Sequence, residues 1–179
     1  QHLDDDAERI LNVASEYMRL DMYSRTFDVL SRNYPPAAPG ETEPGMLAPG
    51  KHPMVAYYRA YCREKLAQPS SADFNAAAHL PTNYVFPNRP EDLEVLRTAA
   101  RLNSQDATAR YLLGTLYFSR GLSREALSEW EQARMLNPQI PVLHASLGRA
   151  LLHEEDDPEK ALSVFREGLR ADPTNIELY

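Results

Sequence analysis

The chain has 179 residues, 43% apolar and 25% charged, with a net charge of −7, a composition ordinary for a globular protein able to bury one sizeable core. The acidic balance and the lack of a basic stripe argue against nucleic acid or an anionic membrane as partner, because nothing would offset phosphate charge. The sole cysteine, Cys62, rules out an internal disulfide, no Cys/His spacing suggests zinc, and no apolar run approaches the roughly 18 residues of a spanning helix.

The first predicted elements are two helices, near residues 4–19 and 23–33. Asp4, Asp5 and Asp6 suit a helix N-terminus, where they complement its dipole. Ile10, Leu11, Ala14, Tyr17 and Met18 form a helical stripe, the chain turns at Asp21–Ser24, and Phe27 and Leu30 continue on a second stripe. Pro35 and Pro36 end it. Residues 37–52 carry Pro39, Pro44 and Pro49 with Gly40, Gly45 and Gly50, which predicts a loop. Helix returns near 53–67, with Pro53 in its first turn and Tyr57, Tyr58, Tyr61 and Cys62 along it. The stretch 68–90 breaks the pattern, apart from a helical turn at Asp73–Ala78, and helix resumes near 91–103.

Four more helices are predicted near 107–120, 123–136, 141–153 and 158–171. Here the chain repeats itself. Arg110-x-x-Leu113-Gly114-x-x-Tyr117 is followed by Ala126-x-x-x-Trp130, Ala133 and Pro138. His144-x-x-Leu147-Gly148-x-x-Leu151 is followed by Ala161-x-x-x-Phe165, Gly168 and Pro173. Gly114 and Gly148 are 34 apart, whereas Ala126 to Ala161 is 35, so one residue is added between the second pair of helices. The spacing has a physical reading. Leu113 and Tyr117 share one helical face, and Gly114 leaves room for a second helix, whose inner face carries Ala126, Trp130 and Ala133. Gly121 is placed to end the first helix, Ser123 to cap the second, and Pro138 to stop it.

These motifs resemble the tetratricopeptide repeat, with Arg110 where Trp is common and Trp130 where Phe is common. The resemblance implies an all-α solenoid of stacked antiparallel helix pairs. It divides one helical-repeat domain into a degenerate repeat at 4–36, a Pro/Gly loop at 37–52, a split repeat at 53–103 with the non-regular insertion 68–90, repeats at 107–140 and 141–175, and the start of a further helix at 176–179. The chain begins at Gln1 rather than Met and ends in Ile176, Leu178 and Tyr179, so it reads as a fragment of a longer protein. A cytoplasmic location is the expectation. A narrower stretch, Tyr84-Val85-Phe86-Pro87-Asn88-Arg89-Pro90 and on to Leu96, resembles the C-terminal repeat region of large bacterial proteins carrying a carbohydrate-enzyme-like β-sandwich domain of unknown function.

In the tetratricopeptide family the first helix of each pair lines a concave groove. Carried over by position, that groove would hold Tyr57, Tyr61, Tyr111, Thr115, Phe118, Arg149 and His153. Aromatic and Arg side chains are the usual anchors of an interface. The competing reading is that the tyrosines pack between helices. Of the positions that clamp a chaperone-tail carboxylate in this family, only Arg149 fits, which puts such a clamp in doubt. Insertions in repeat proteins map to loops on one face, often the binding face. Phe74, Tyr84 and Phe86 of 68–90 are therefore expected to pack on the solenoid, inside the groove or on its outer side.

No catalytic or metal constellation emerges, and no cofactor is implied. Glu154-Glu155-Asp156-Asp157 lacks the ligand alternation of a calcium loop and reads as a solvated turn. His52 and His79 have no supporting carboxylate pattern. The expected function is a scaffold, not an enzyme, binding a protein, a peptide or another domain of the parent chain. The alternative is a regulatory or assembly appendage of a bacterial carbohydrate-related enzyme.

Overall fold

The computed structural model describes residues 6–34, 47–140 and 142–173. The expected acidic start at Asp4 and Asp5, most of the 37–52 loop and the 176–179 helix start lie outside the described residues. Among the described residues there are nine α-helices and no strand. They are α1 (Ala7–Arg19), α2 (Tyr23–Leu30), α3 (Pro53–Lys65), α4 (Ser71–Ala77), α5 (Pro90–Leu102), α6 (Ala107–Ser119), α7 (Ser123–Leu136), α8 (Leu143–His153) and α9 (Pro158–Ala171), with one 3₁₀ turn at Pro49–Lys51. The architecture is an α-solenoid: α1 packs on α2, α2 on α3, α3 on α5, α5 on α6, and so through to α9.

Local chemistry starts five of these helices, α1, α3, α5, α6 and α9. Asp6 accepts the Glu8 N–H at 2.9 Å, Asp106 that of Ala109 at 2.8 Å and Asp157 that of Lys160 at 2.9 Å, each satisfying a donor the first turn leaves over. Pro53, Pro90 and Pro158 occupy first-turn positions, where a missing N–H costs nothing. The expected cap at Ser123 is corrected: Ser123 is already the first residue of α7, and its hydroxyl donates to Glu154 at 2.9 Å instead. Gly121 takes φ +73° in the turn between α6 and α7, where a Cβ would be strained. The α6–α7 turn is Arg120–Leu122 and the α8–α9 turn is Glu154–Asp157, one residue longer, as the repeat spacing implies.

Within each pair the glycine and the large ring are complementary. A Cβ on Gly114 would lie 2.6 Å from Cδ1 of Trp130, and one on Gly148 would clash with the ring edge of Phe165. The two helices therefore meet only because these positions lack a side chain. Arg110, standing where Trp is common, makes an ion pair with Glu129 of the facing helix at 3.0 Å. His144, at the matching position one repeat later, bonds the Pro138 carbonyl through Nε2 at 2.8 Å.

Helix α3 is the centre of the molecule. Met54, Val55, Ala56, Tyr57, Tyr58, Ala60, Tyr61 and Cys62 are all buried, because α1, α2, α4 and α5 surround it. Only Arg59, Arg63, Glu64 and Lys65 of this helix reach toward solvent. Burial pushes the Cys62 thiol up to about 12, leaving it unreactive.

A cleft between the insertion and the eighth helix

The stretch 68–90, expected as an insertion, is a built structure. Its helix α4 lies on α3, with Phe74 fully buried and its ring tilted against Tyr57 at 6.5 Å between centroids. The Ala78 carbonyl accepts the hydroxyl of Thr108 on α6 at 2.7 Å, and Asn103 donates its side-chain amide to Asn75 at 3.1 Å. After α4 the chain runs on with alternating burial. Val85, Pro87 and Arg89 point inward, while Tyr84, Phe86 and Asn88 point outward.

The inward residues are anchored by a buried polar network. Arg89 donates to Asn12 at 2.8 Å and to the Glu8 carboxylate at 2.7 Å. The backbone N–H groups of Asn88 and Arg89 both donate to Asp92 at 2.8 Å, and Tyr58 donates to the other oxygen of Asp92 at 2.6 Å. The Arg89 carbonyl accepts from Arg120 at 3.0 Å. The stretch is thereby tied to α1, α3, α5 and the α6–α7 turn. Burial raises the Asp92 carboxyl above its ordinary value, opposed by the Tyr58 and backbone hydrogen bonds, and pushes Tyr58 well above the usual phenol range.

The anchoring leaves two aromatics in solvent, Tyr84 at 68% and Phe86 at 63% exposure. The expectation that the insertion's aromatics pack on the solenoid holds for Phe74 and fails for these two. The reason is backbone geometry: Phe86 turns out because Val85 and Pro87 on either side of it are committed to the inside, and Tyr84 turns out within a turn closed by the Val85 N–H, which donates to the Thr82 carbonyl at 3.2 Å. Tyr84 also takes φ +60°, a conformation rare for a bulky residue.

Between this segment and α8 lies a cleft of about 310 Å³, lined by Thr82, Asn83, Tyr84, Phe86, Tyr111, Val142, Ser146 and Arg149. The residues expected to share one groove are distributed differently. Tyr111, itself buried, and Arg149, exposed, both line this cleft. Tyr57 is wholly buried beneath the insertion and donates to Asp106 at 2.8 Å; burial, then the Asp106 charge, raises its hydroxyl far above the usual range. Tyr61 is buried edge-on against Tyr23 at 6.3 Å, with the Lys65 ammonium 5.1 Å above its ring. Thr115 is half-buried and bonds the Tyr111 carbonyl at 3.0 Å. Phe118 is partly exposed beside Trp130, and His153 is exposed at the end of α8; neither lines the cleft. Thr82, Asn83 and Ser146 were not expected from the sequence. No periodic signal marks residues in an irregular loop, although Phe86, between the inward Val85 and Pro87, follows a strand-like period that flags it.

Among the described residues no group of three or more His, Cys, Asp or Glu side chains is arranged to hold a metal ion. His52 lies 3.6 Å from Glu8, and His79 bonds the Asn75 carbonyl at 2.7 Å. No helix of the described residues is long and apolar enough to cross a membrane.

No family model matches the chain, and no curated protein matches it in sequence. Among solved structures it is similar to YrrB, described as a TPR protein with an unusual peptide-binding site, at 19% identity over 97% of this chain and 73% of that one, TM-score 0.47. It is similar to MamA at 17% identity over 94% of this chain and 80% of that one, TM-score 0.46. A MamA segment from Desulfovibrio magneticus RS-1 gives 19% identity over 97% and 99%, TM-score 0.44. At this distance a likeness says nothing of function. The narrower resemblance to carbohydrate-related bacterial proteins finds no support among these structures.

Proposed function

We propose that the chain is a protein-interaction scaffold whose repeats, at 4–36, 53–103, 107–140 and 141–175, hold the insertion in place so that a partner docks in the cleft beside α8. The observation that supports this most directly is the display of Tyr84 and Phe86 on a segment pinned by Val85, Arg89 and Asp92. Two large aromatics in solvent on a fixed backbone gain apolar contact on binding. They do so without the ordering cost of a loose loop.

The test is site-directed photo-crosslinking in lysate of the source cell. A crosslinking residue at Phe86 should capture a defined protein or peptide. The same residue at Met135, 73% exposed on α7, should not capture it. Equal capture from both positions would reject the cleft as the docking site.

A further inference from the structure

We propose that a small cavity between the end of α2 and the first turns of α3 binds an oxyanion of the phosphate class, held by Arg59 and Arg32. The pairing of arginines across the molecule carries the inference. Five arginines are buried or half-buried among the described residues: Arg59, Arg63, Arg89, Arg110 and Arg134. Four of them meet a carboxylate: Arg63 that of Asp73, Arg89 that of Glu8, Arg110 that of Glu129, and Arg134 those of Glu131 and Glu167. Arg59, in a chain with 26 acidic residues, meets none among the described residues. Drawing a guanidinium partly out of water without a counter-charge is unfavourable, so the exception calls for an anion supplied from outside.

The surroundings suit that anion. Arg59 lines a cavity of about 120 Å³ together with Arg32, and no Asp or Glu belongs to its described walls. The Arg32 guanidinium makes no hydrogen bond or ion pair among the described residues. Its charge is felt at the wall: burial raises the Tyr34 hydroxyl above its ordinary value, and Arg32 opposes that shift. The Tyr34 hydroxyl is committed to the Val29 carbonyl at 2.7 Å, whereas the Asn33 amide and the Ser31 hydroxyl line the same space and can donate. On the Gly50 side the space is open, since a Cβ there would meet no atom within 4 Å. The volume is well below the roughly 300 Å³ of a pocket for a whole small molecule, so it suits one anionic head group. Two guanidinium groups from separate segments favour phosphate over a carboxylate. A phosphate group carries close to two charges and three acceptor oxygens, enough to accept from both forks, whereas a carboxylate is matched by one.

The experiment titrates inorganic phosphate into the whole isotope-labelled chain, with ionic strength held constant by chloride, and follows the Gly50 and Asn33 amides by NMR. Saturable shifts at both are expected, with none from chloride alone. Arg59→Gln and Arg32→Gln should each weaken phosphate about tenfold. Arg166→Gln, on the exposed side of α9, should leave it unchanged. Arg32 is itself exposed, so its variant reports on binding even where Arg59→Gln lowers stability, and thermal melts separate the two effects. A phosphoserine peptide that binds tighter than inorganic phosphate would support the site and assign it to a phosphorylated chain; equal binding would support it and assign it to the free anion. Acetate bound as tightly as phosphate would overturn the phosphate class. Shifts that fail to saturate, or that Arg166→Gln reduces as much as Arg32→Gln does, would be ionic screening and would overturn the site. None of these outcomes bears on the cleft beside α8, which shares no residue with this cavity.

Discussion

The contact between Gly114 and Trp130 lends itself to a quantitative test. Ala is a better helix former than Gly by roughly 1 kcal/mol, so Gly114→Ala in the middle of α6 would stabilise an isolated helix. Here the new Cβ would sit 2.6 Å from Cδ1 and 2.7 Å from Nε1 of Trp130, about 1 Å inside ordinary carbon contact. The ring has no easy retreat, because it is buried and its Nε1 donates to the Tyr111 carbonyl at 3.1 Å. Overpacking of this kind costs about 1–3 kcal/mol. The net effect in the natural background is therefore a loss of up to about 2 kcal/mol after the helix gain is set against it. In a Trp130→Leu background the obstructing ring is gone, and the same substitution should turn stabilising by up to about 1 kcal/mol. The coupling between the two sites is then about 1–3 kcal/mol. Urea unfolding followed by far-ultraviolet circular dichroism measures all four proteins, since Trp130 is the sole tryptophan and fluorescence would vanish with it. If Gly114→Ala shifts stability by the same amount in both backgrounds, the glycine is not there to admit the ring.

The polar network and the insertion give further expected outcomes. Asp92→Asn leaves one acceptor oxygen for the three donors Tyr58, Asn88 and Arg89, and should lower unfolding stability by about 1–3 kcal/mol in urea titration. Phe74→Ala removes the ring buried on Tyr57 and should cost about 3–5 kcal/mol, with hydrogen exchange accelerated first in α3 and α4. His52 is lowered from 6.5 to about 4, chiefly by burial, with Glu8 opposing and Arg89 adding to the shift. The unfolded chain takes up this proton before the folded one does, so stability should fall by up to about 3 kcal/mol as pH drops from 6.5 toward 4. Melting temperatures across that window should decline less steeply for His52→Gln than for the natural chain. Phe86→Ala, in contrast, should leave stability within about 0.5 kcal/mol, as an exposed side chain permits.

The helices and their pairing are legible in the sequence because they rest on short-range rules. Leu113, Gly114 and Tyr117 reveal a face by spacing alone, and Pro138 reveals an end. The cap at Ser123 is misread because a Ser near a helix start satisfies the rule at either of two positions, and its hydroxyl instead finds Glu154 across the next turn. Position in the repeat points Tyr57 and Tyr61 toward a groove. It cannot show that α4 covers Tyr57 or that Tyr23 meets Tyr61. Those contacts join residues far apart in sequence, where periodicity carries no information. Arg149 and Tyr111 are reachable from the register because α6 and α8 are regular helices.

The insertion changes which residues are free to act. Lengthening a connection costs little chain entropy, since the closure term grows only with the logarithm of length, and α3 still packs on α5 across it. What the added residues gain is burial: Phe74, Ala77 and Val85 are all enclosed. In covering α3, they turn a tyrosine that would otherwise face outward into core, with its hydroxyl held by Asp106. A solenoid that covered its inner helices and offered nothing in exchange would lose a contact surface. Here the same backbone that buries Val85 and Pro87 presents Phe86 between them, as an extended chain alternates its side chains, and Tyr84 in the turn just before them. On the proposed reading, stability and recognition are thereby separated: changes at Tyr57 or Phe74 act on the fold, and changes at Tyr84 or Phe86 act on the partner. That separation is measurable in one pair of proteins. Phe74→Ala should lower stability and weaken a crosslinked partner only as far as it unfolds the chain. Phe86→Ala should weaken that partner with no change in melting. A Phe86→Ala protein that melted early, or bound as well as the natural chain, would place recognition elsewhere than the insertion.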